Sequence, residues 1–210
     1  MRLLEQAGID YETITYEYEE NNLSGLLAAE KCGMDPDTMF KTLVTRGEKR
    51  GIIVFCIPVN EELDLKKCAV AAGDKRIEMT QMKELLGLTG YIRGGCSPIG
   101  MKKDYPVYIE ETALLFDRIA VSAGARGVQV RLNPEELIRY YQRQLPLIHG
   151  NAGTSIPGPA LFFIHHGFPV EMNLYHILCG MIFDGYFFDY LSSKDALATS
   201  RQHPSGLDYL

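Results

Sequence analysis

Apolar residues recur at two periods along the first 142 residues, and the two periods divide that stretch into short helices and strands. In 2–8, RLLEQAG, Leu3 and Leu4 followed by a closing glycine predict a short helix. YETITY (11–16) alternates as a strand does. Residues 23–33 predict a helix ended by Gly33, and Asp35-Pro36-Asp37 supplies a cap and a first-turn proline for the next helical turn. FKTLVTR (40–46) and GIIVFCIPV (51–59) are apolar and β-branched runs flanking the polar turn RGEKR, which predicts a strand pair. Residues 61–72 then predict a helix, with Leu63, Leu65, Cys68, Ala69 and Ala72 available for packing. A short strand at 75–79 and a helix at 80–86 come next, before the glycine-rich loop GYIRGGCSPIG (90–100). PVYIEE (106–111) and RIAVSAG (118–124) are further strands, and a helix starts at Pro134 with Asn133 as its cap. The elements lack regular βαβ spacing, so the expected class is α+β, a mixed α/β fold built on a mixed sheet.

The pattern changes near residue 143. All five histidines and six of the nine phenylalanines lie beyond it, whereas 18 of the 21 Lys and Arg precede Arg143. Residues 145–160, LPLIHGNAGTSIPGPA, read as a loop or linker. The expected organisation is therefore a body, 1–142, and an unassigned, poorly ordered extension, 143–210. The extension holds two aromatic patches, FFIHHGF and GYFFDYL, and a His176–Cys179 spacing that lacks the second pair a metal site needs.

The net charge is −6, so any nucleic-acid contact must rest on a local patch. Five cysteines without a CxxC pair read as reduced thiols. The first residues contain no long apolar run, and no secretory leader or membrane span is expected.

Three places could carry chemistry. Alternation puts Lys41 on one strand face with Leu43, and Thr42 with Val44 on the other. A lysine there can clamp a phosphate or a carbonyl oxygen. By pattern alone it reads first as a lysine snorkelling at a strand end. In GGCSPIG, Gly94 and Gly95 allow close backbone approach and offer N–H donors, Ser97 adds a hydroxyl, and Pro98 stiffens the turn. A tight connection between strands explains the same residues equally well. Ser122, Gly124 and Arg126 in SAGARG could bind an anion or form a surface turn.

Taken in order, PDTMFKTLV, IPVNEELDLKK, TGYIRGGCSPIGMKK and VSAGARG resemble the YbaK/EbsC family of tRNA-editing domains, relatives of the editing domain of bacterial prolyl-tRNA synthetases. The resemblance spans about residues 2–142 and begins slightly short of typical members. It implies a YbaK-like twisted mixed sheet, partly barrel-like, surrounded by helices. It also implies trans-editing of mischarged aminoacyl-tRNA, Cys-tRNA(Pro) above all, in the cytoplasm. The partners it implies are the tRNA acceptor end and prolyl-tRNA synthetase, with no cofactor. The family's lysine falls on Lys41, its strand tyrosine on Tyr16, its glycine pair on Gly94 and Gly95, and its loop serine on Ser97. Phe40, Thr42, Pro98, Ser122, Gly124 and Gln129 are then expected around the substrate. Many members carry an acidic residue where this chain has Gln129, and a glutamine cannot hold an ammonium by charge.

The body offers no histidine, no Ser-His-Asp set and no zinc-ligand spacing. A deacylase made of these residues must rely on positioning and electrostatics. Cys96 lacks a histidine to activate it and reads as a packing residue. Lys66, Lys67, Lys102 and Lys103 are the expected tRNA contacts, with solvated surface lysines as the simpler reading. The alternative to an enzyme is a non-catalytic homologue that binds tRNA or a synthetase.

Overall fold

A computed structural model describes residues 1–144 and 160–162 of the chain. Its elements run α1 (Arg2–Ala7), β1 (Tyr11–Thr15), α2 (Gly25–Lys31), β2 (Phe40–Gly47), β3 (Gly51–Pro58), α3 (Leu65–Ala71) and β4 (Ile77–Met79). They continue with α4 (Met82–Thr89), β5 (Val107–Glu110), β6 (Ile119–Ser122), β7 (Val128–Leu132), α5 (Pro134–Gln144) and β8 (Ala160–Phe162). Short 3-10 turns occupy Pro36–Thr38 and Glu111–Leu115. The class is α+β, as the pattern predicts.

The strands form two sheets and not a closed barrel: β4-β2-β3-β5-β8 and β1-β7-β6. β2 pairs antiparallel with β3 and β4, whereas β3–β5 and β5–β8 are parallel, so the larger sheet is mixed. An isolated parallel bridge between Met39 and Ala120 joins the two sheets just ahead of β2.

β3 is the centre of the core. Its apolar residues are continuous rather than alternating because both of its faces are buried. Ile53, Phe55 and Ile57 pack with Tyr108 and with Cys68, Ala69 and Ala72 around α3. The Phe55 and Tyr108 rings stack 5.2 Å apart. Truncating Phe55 to alanine would cost about 3–5 kcal/mol. The β2–β3 turn is held from outside: Asp74 accepts the Lys49 and Arg50 amides at 3.0 and 2.8 Å.

Side chains cap several of the helical starts. Asp35 accepts the Asp37 amide, Asp64 accepts those of Lys66 and Lys67, and Asn133 accepts that of Glu136. The helix anticipated at 61–72 starts later, at Leu65, because Asp64 caps it there. The strand β7 was not anticipated. It is the middle strand of the smaller sheet, with Val130 facing Thr13 on one side and Val121 on the other. Its pattern, VQVRL, is short and follows a glycine-rich turn directly. The same holds for β8, in the stretch read as loop and tail. The His176–Cys179 spacing and GYFFDYL lie outside the described residues, as does FFIHHGF beyond Phe162.

Candidate functional site

A cleft of about 330 Å³ opens where the start of β2 meets the loops that follow β1 and α4 and the adjoining ends of β6 and β7. Its floor is Phe40–Val44. Of the residues the sequence nominates, Lys41, Tyr16, Phe40, Thr42, Gly94, Ser122 and Gln129 line it, as does Cys96. Gly95, Ser97, Pro98 and Gly124 do not line it, and neither do Lys66, Lys67, Lys102 and Lys103.

Lys41 is half-buried, opposite Ile57 in the β2–β3 ladder. Its Nζ donates to the Val59 carbonyl at 3.1 Å. Val59 is itself fixed, since its amide donates to the Met39 carbonyl at 2.8 Å. Burial lowers the Lys41 pKa, and the nearby Glu62 and Glu61 carboxylates oppose that shift. One carbonyl leaves an ammonium with donor capacity for an oxygen in the cleft.

The glycine-rich loop forms the opposing wall. The Gly95 amide donates to the Ile92 carbonyl at 3.0 Å, closing a turn over 92–95. Gly94, its third residue, has φ +81°, and no non-glycine residue among the described ones has positive φ. That combination is a type II turn, which needs a glycine at this position. Gly95 is closely fitted for another reason. A Cβ there would lie 3.1 Å from the backbone of both Ala125 and Arg126, so the turn seats directly on the SAGARG loop. Arg126 Nε completes the brace by donating to the Arg93 carbonyl at 3.0 Å.

The second half of the loop turns inward. The buried Ser97 hydroxyl accepts the Ile99 amide at 3.1 Å. Tyr91 donates its hydroxyl to the Ile99 carbonyl at 2.6 Å, stapling the loop across its ends. Of the expected donor pair, the Gly95 N–H is already committed to Ile92. The amides of Gly94 and Cys96 make no hydrogen bond to the other described residues. Burial pushes the Cys96 thiol up to about 11, consistent with a packing role rather than a thiolate nucleophile.

Deep in the cleft, Ser122 and Gln129 are opposed across β6 and β7, and both are buried. The Ser122 hydroxyl accepts the Gly124 amide at 3.3 Å. Tyr16 sits just past β1, with its amide on the Gly127 carbonyl at 2.9 Å. The lysine pairs are elsewhere: Lys66 and Lys67 sit at the start of α3, and Lys102 Nζ donates to the Leu86 carbonyl in α4. Titration alone would not find this cleft. The Glu111 carboxyl rises to about 7 through burial and the neighbouring Glu110, and it is not part of the lining.

Sequence reasoning missed Ser24, Lys31, Thr80, Met82 and Arg93, all of which line the cleft. Thr80 is there because its amide and hydroxyl both bind the Val44 carbonyl, at 3.1 and 2.8 Å. Only Arg93 carried a signal, since it lies inside the nominated loop. Among the described residues no group of His, Cys, Asp and Glu could hold a metal ion. No helix among them is long and apolar enough to cross a membrane.

EbsC of Enterococcus faecalis, which its name proposes as a Cys-tRNA(Pro)/Cys-tRNA(Cys) deacylase, is 49% identical over 138 residues, 66% of this chain and 84% of EbsC. YwhH of Bacillus subtilis, an uncharacterised protein, is 29% identical over 124 residues, 59% of this chain and 78% of YwhH. A crystal structure of a proposed trans-editing enzyme for prolyl-tRNA synthetase superposes with a TM-score of 0.57 at 25% identity, covering 66% of this chain and 87% of that one. The hypothetical protein APE2540 shares the fold alone, with a TM-score of 0.62 at 18% identity over 67% of this chain and 92% of that one. Residues 26–140, more than half of the chain, match the aminoacyl-tRNA editing domain, and the chain belongs to that family.

Proposed function

We propose that this chain clears mischarged aminoacyl-tRNA in trans, with Cys-tRNA(Pro) as its principal substrate. The observation that carries the proposal is the Lys41 ammonium. It is half-buried in the cleft floor and held by a single carbonyl, facing a loop with spare amide donors. The similarity to EbsC supports the choice of substrate.

In this reading the terminal ester lies between Lys41 and the 92–97 loop. Lys41 polarises the ester or holds the adjacent phosphate. The Gly94 and Cys96 amides meet the negative charge that develops on the carbonyl oxygen. Tyr16, Phe40, Thr42, Ser122 and Gln129 surround the aminoacyl group. Ser97, Pro98, Gly95 and Gly124 act one step back by shaping the loops. For a cysteinyl ester, the substrate thiol attacks the carbonyl carbon. The ester C–O bond breaks, and the thiol proton passes to the departing ribose oxygen. This internal attack needs no protein nucleophile. Residues 1–142 form the editing domain and 143–210 an extension of unassigned role. The enzyme would act in the cytoplasm on the acceptor end, beside prolyl-tRNA synthetase.

Deacylation of Cys-tRNA(Pro), Ala-tRNA(Pro) and Ser-tRNA tests the proposal. Cys-tRNA(Pro) should be cleared fastest. If none is cleared faster than by a Lys41→Ala variant, the enzyme reading fails. Gln129 favours one rival, a homologue that binds tRNA or the synthetase without turnover, because a neutral amide stands where charge could hold the substrate ammonium. Binding without clearance would decide for it.

A further inference from the structure

Three cationic side chains line the cleft, and they differ in what already occupies them. Lys31 is committed. Its Nζ lies 2.9 Å from both the Glu19 carboxylate and the Glu17 carbonyl. Lys41 lies deep, on the Val59 carbonyl. Arg93 is exposed at the corner of the 92–95 turn, and its guanidinium meets no carboxylate or carbonyl among the described residues. The neighbouring Arg126 is also committed: its Nε holds the Arg93 carbonyl, and its Nη1 faces Glu20 at 3.6 Å.

We infer that Arg93 is a tRNA-phosphate contact that positions the acceptor strand as it leaves the cleft. This deepens the function proposed above and rests on it. Three observations point the same way. First, a guanidinium with five unshared donors suits a phosphate better than any other group at the mouth. Secondly, the backbone beneath it is rigid. The type II turn, the Gly95 seat on Ala125–Arg126 and the Arg126 brace fix where the side chain starts. Thirdly, the chain carries net charge −6, so a polyanion can approach only where positive charge is local and uncompensated. The lysine pairs do not offer this at the cleft, since Lys66, Lys67, Lys102 and Lys103 all lie outside its lining.

The role is positioning, not chemistry, and salt dependence separates the two. Binding of uncharged tRNA(Pro) should be measured from 50 to 300 mM KCl for wild type, Arg93→Gln and Arg93→Lys. Clearance of Cys-tRNA(Pro) should be measured in parallel. One lost phosphate contact should lower the slope of log K against log salt by about 0.7–0.9 in Arg93→Gln. At low salt its KM should rise by about three- to tenfold while kcat moves far less. Arg93→Lys, which keeps the charge, should restore most of the slope and of the KM. A cysteinyl nucleoside, which has no phosphate, should show the same KM with either enzyme. An unchanged slope in Arg93→Gln, equal losses on the nucleoside, or no tRNA binding by wild type overturns the inference. Binding with the expected slope change but no clearance by wild type would sink the deacylase reading and leave Arg93 as an RNA contact.

Discussion

The two walls of the cleft are built on different principles. The floor is a strand, Phe40–Val44, whose direction is set by pairing with β3 on one side and, further along, with β4 on the other. The facing wall is the 92–97 loop, set by a glycine turn, a close seat on a second loop and two side-chain staples. On the strand, each nominated residue lines the cleft. On the loop, Gly94 and Cys96 line it, while Gly95, Ser97 and Pro98 turn away. A strand therefore presents its residues along a path that its ladder fixes, and here both alternating sets of Phe40–Val44 border the cleft. A loop divides them by what it happens to rest on.

Breaking the strand wall should have the largest functional effect and a small structural one. Lys41→Ala should lower kcat/KM for Cys-tRNA(Pro) by about 10²–10³-fold, the loss typical for a single electrostatic contact to a developing charge. Urea unfolding should change by less than about 1 kcal/mol, because the variant also removes a half-buried cation. A large stability loss would make Lys41 a structural residue instead.

The loop wall should respond the other way. Gly95→Ala puts a Cβ 3.1 Å from the Ala125–Arg126 peptide unit, which must give by a few tenths of an ångström, and should cost about 1–3 kcal/mol in urea unfolding. It should also weaken tRNA binding by displacing Arg93. Ser97→Ala should cost about 1 kcal/mol, for a buried amide left without its acceptor. Its kcat should fall far less than that of Lys41→Ala. A kcat loss as large as that of Lys41→Ala, at unchanged stability, would return the Ser97 hydroxyl to the chemistry.

The mildest test is pH. Burial lowers the Lys41 pKa below its ordinary 10.5. The ammonium is therefore lost as pH rises through that lowered value. After subtraction of spontaneous ester hydrolysis, the wild-type rate should fall on the alkaline side earlier than an exposed lysine would allow. Lys41→Arg, which does not deprotonate in this range, should lack that limb. An unmoved limb would mean that another group titrates.

The α+β class, most element positions and the β2–β3 pair were legible because they rest on local periods and caps. Asp35 and Asn133 cap where their types predict, whereas the Asp64 cap was not legible and the helix anticipated from 61 begins at Leu65. β7 was not legible. VQVRL alternates as the equally long β1 does, but it follows the SAGARG turn directly and reads as part of it, and β1 and β6 flank it on either side. The lysine pairs lie outside the cleft lining, since clustering in sequence says nothing of facing: Lys102 reaches back to the Leu86 carbonyl in α4.

The sequence by itself determined the family, the strand that carries Lys41 and the absence of a histidine base from the first 142 residues, since motif order and residue type are properties of the chain. Only the tertiary structure decided which loop residues face the cleft, which of their amides make no bond among the described residues and which cation of the cleft is left without a carboxylate or carbonyl there. Those depend on contacts between segments distant in sequence: Gly95 on Ala125–Arg126, Arg126 on Arg93, Lys31 on Glu19. No local period encodes such contacts.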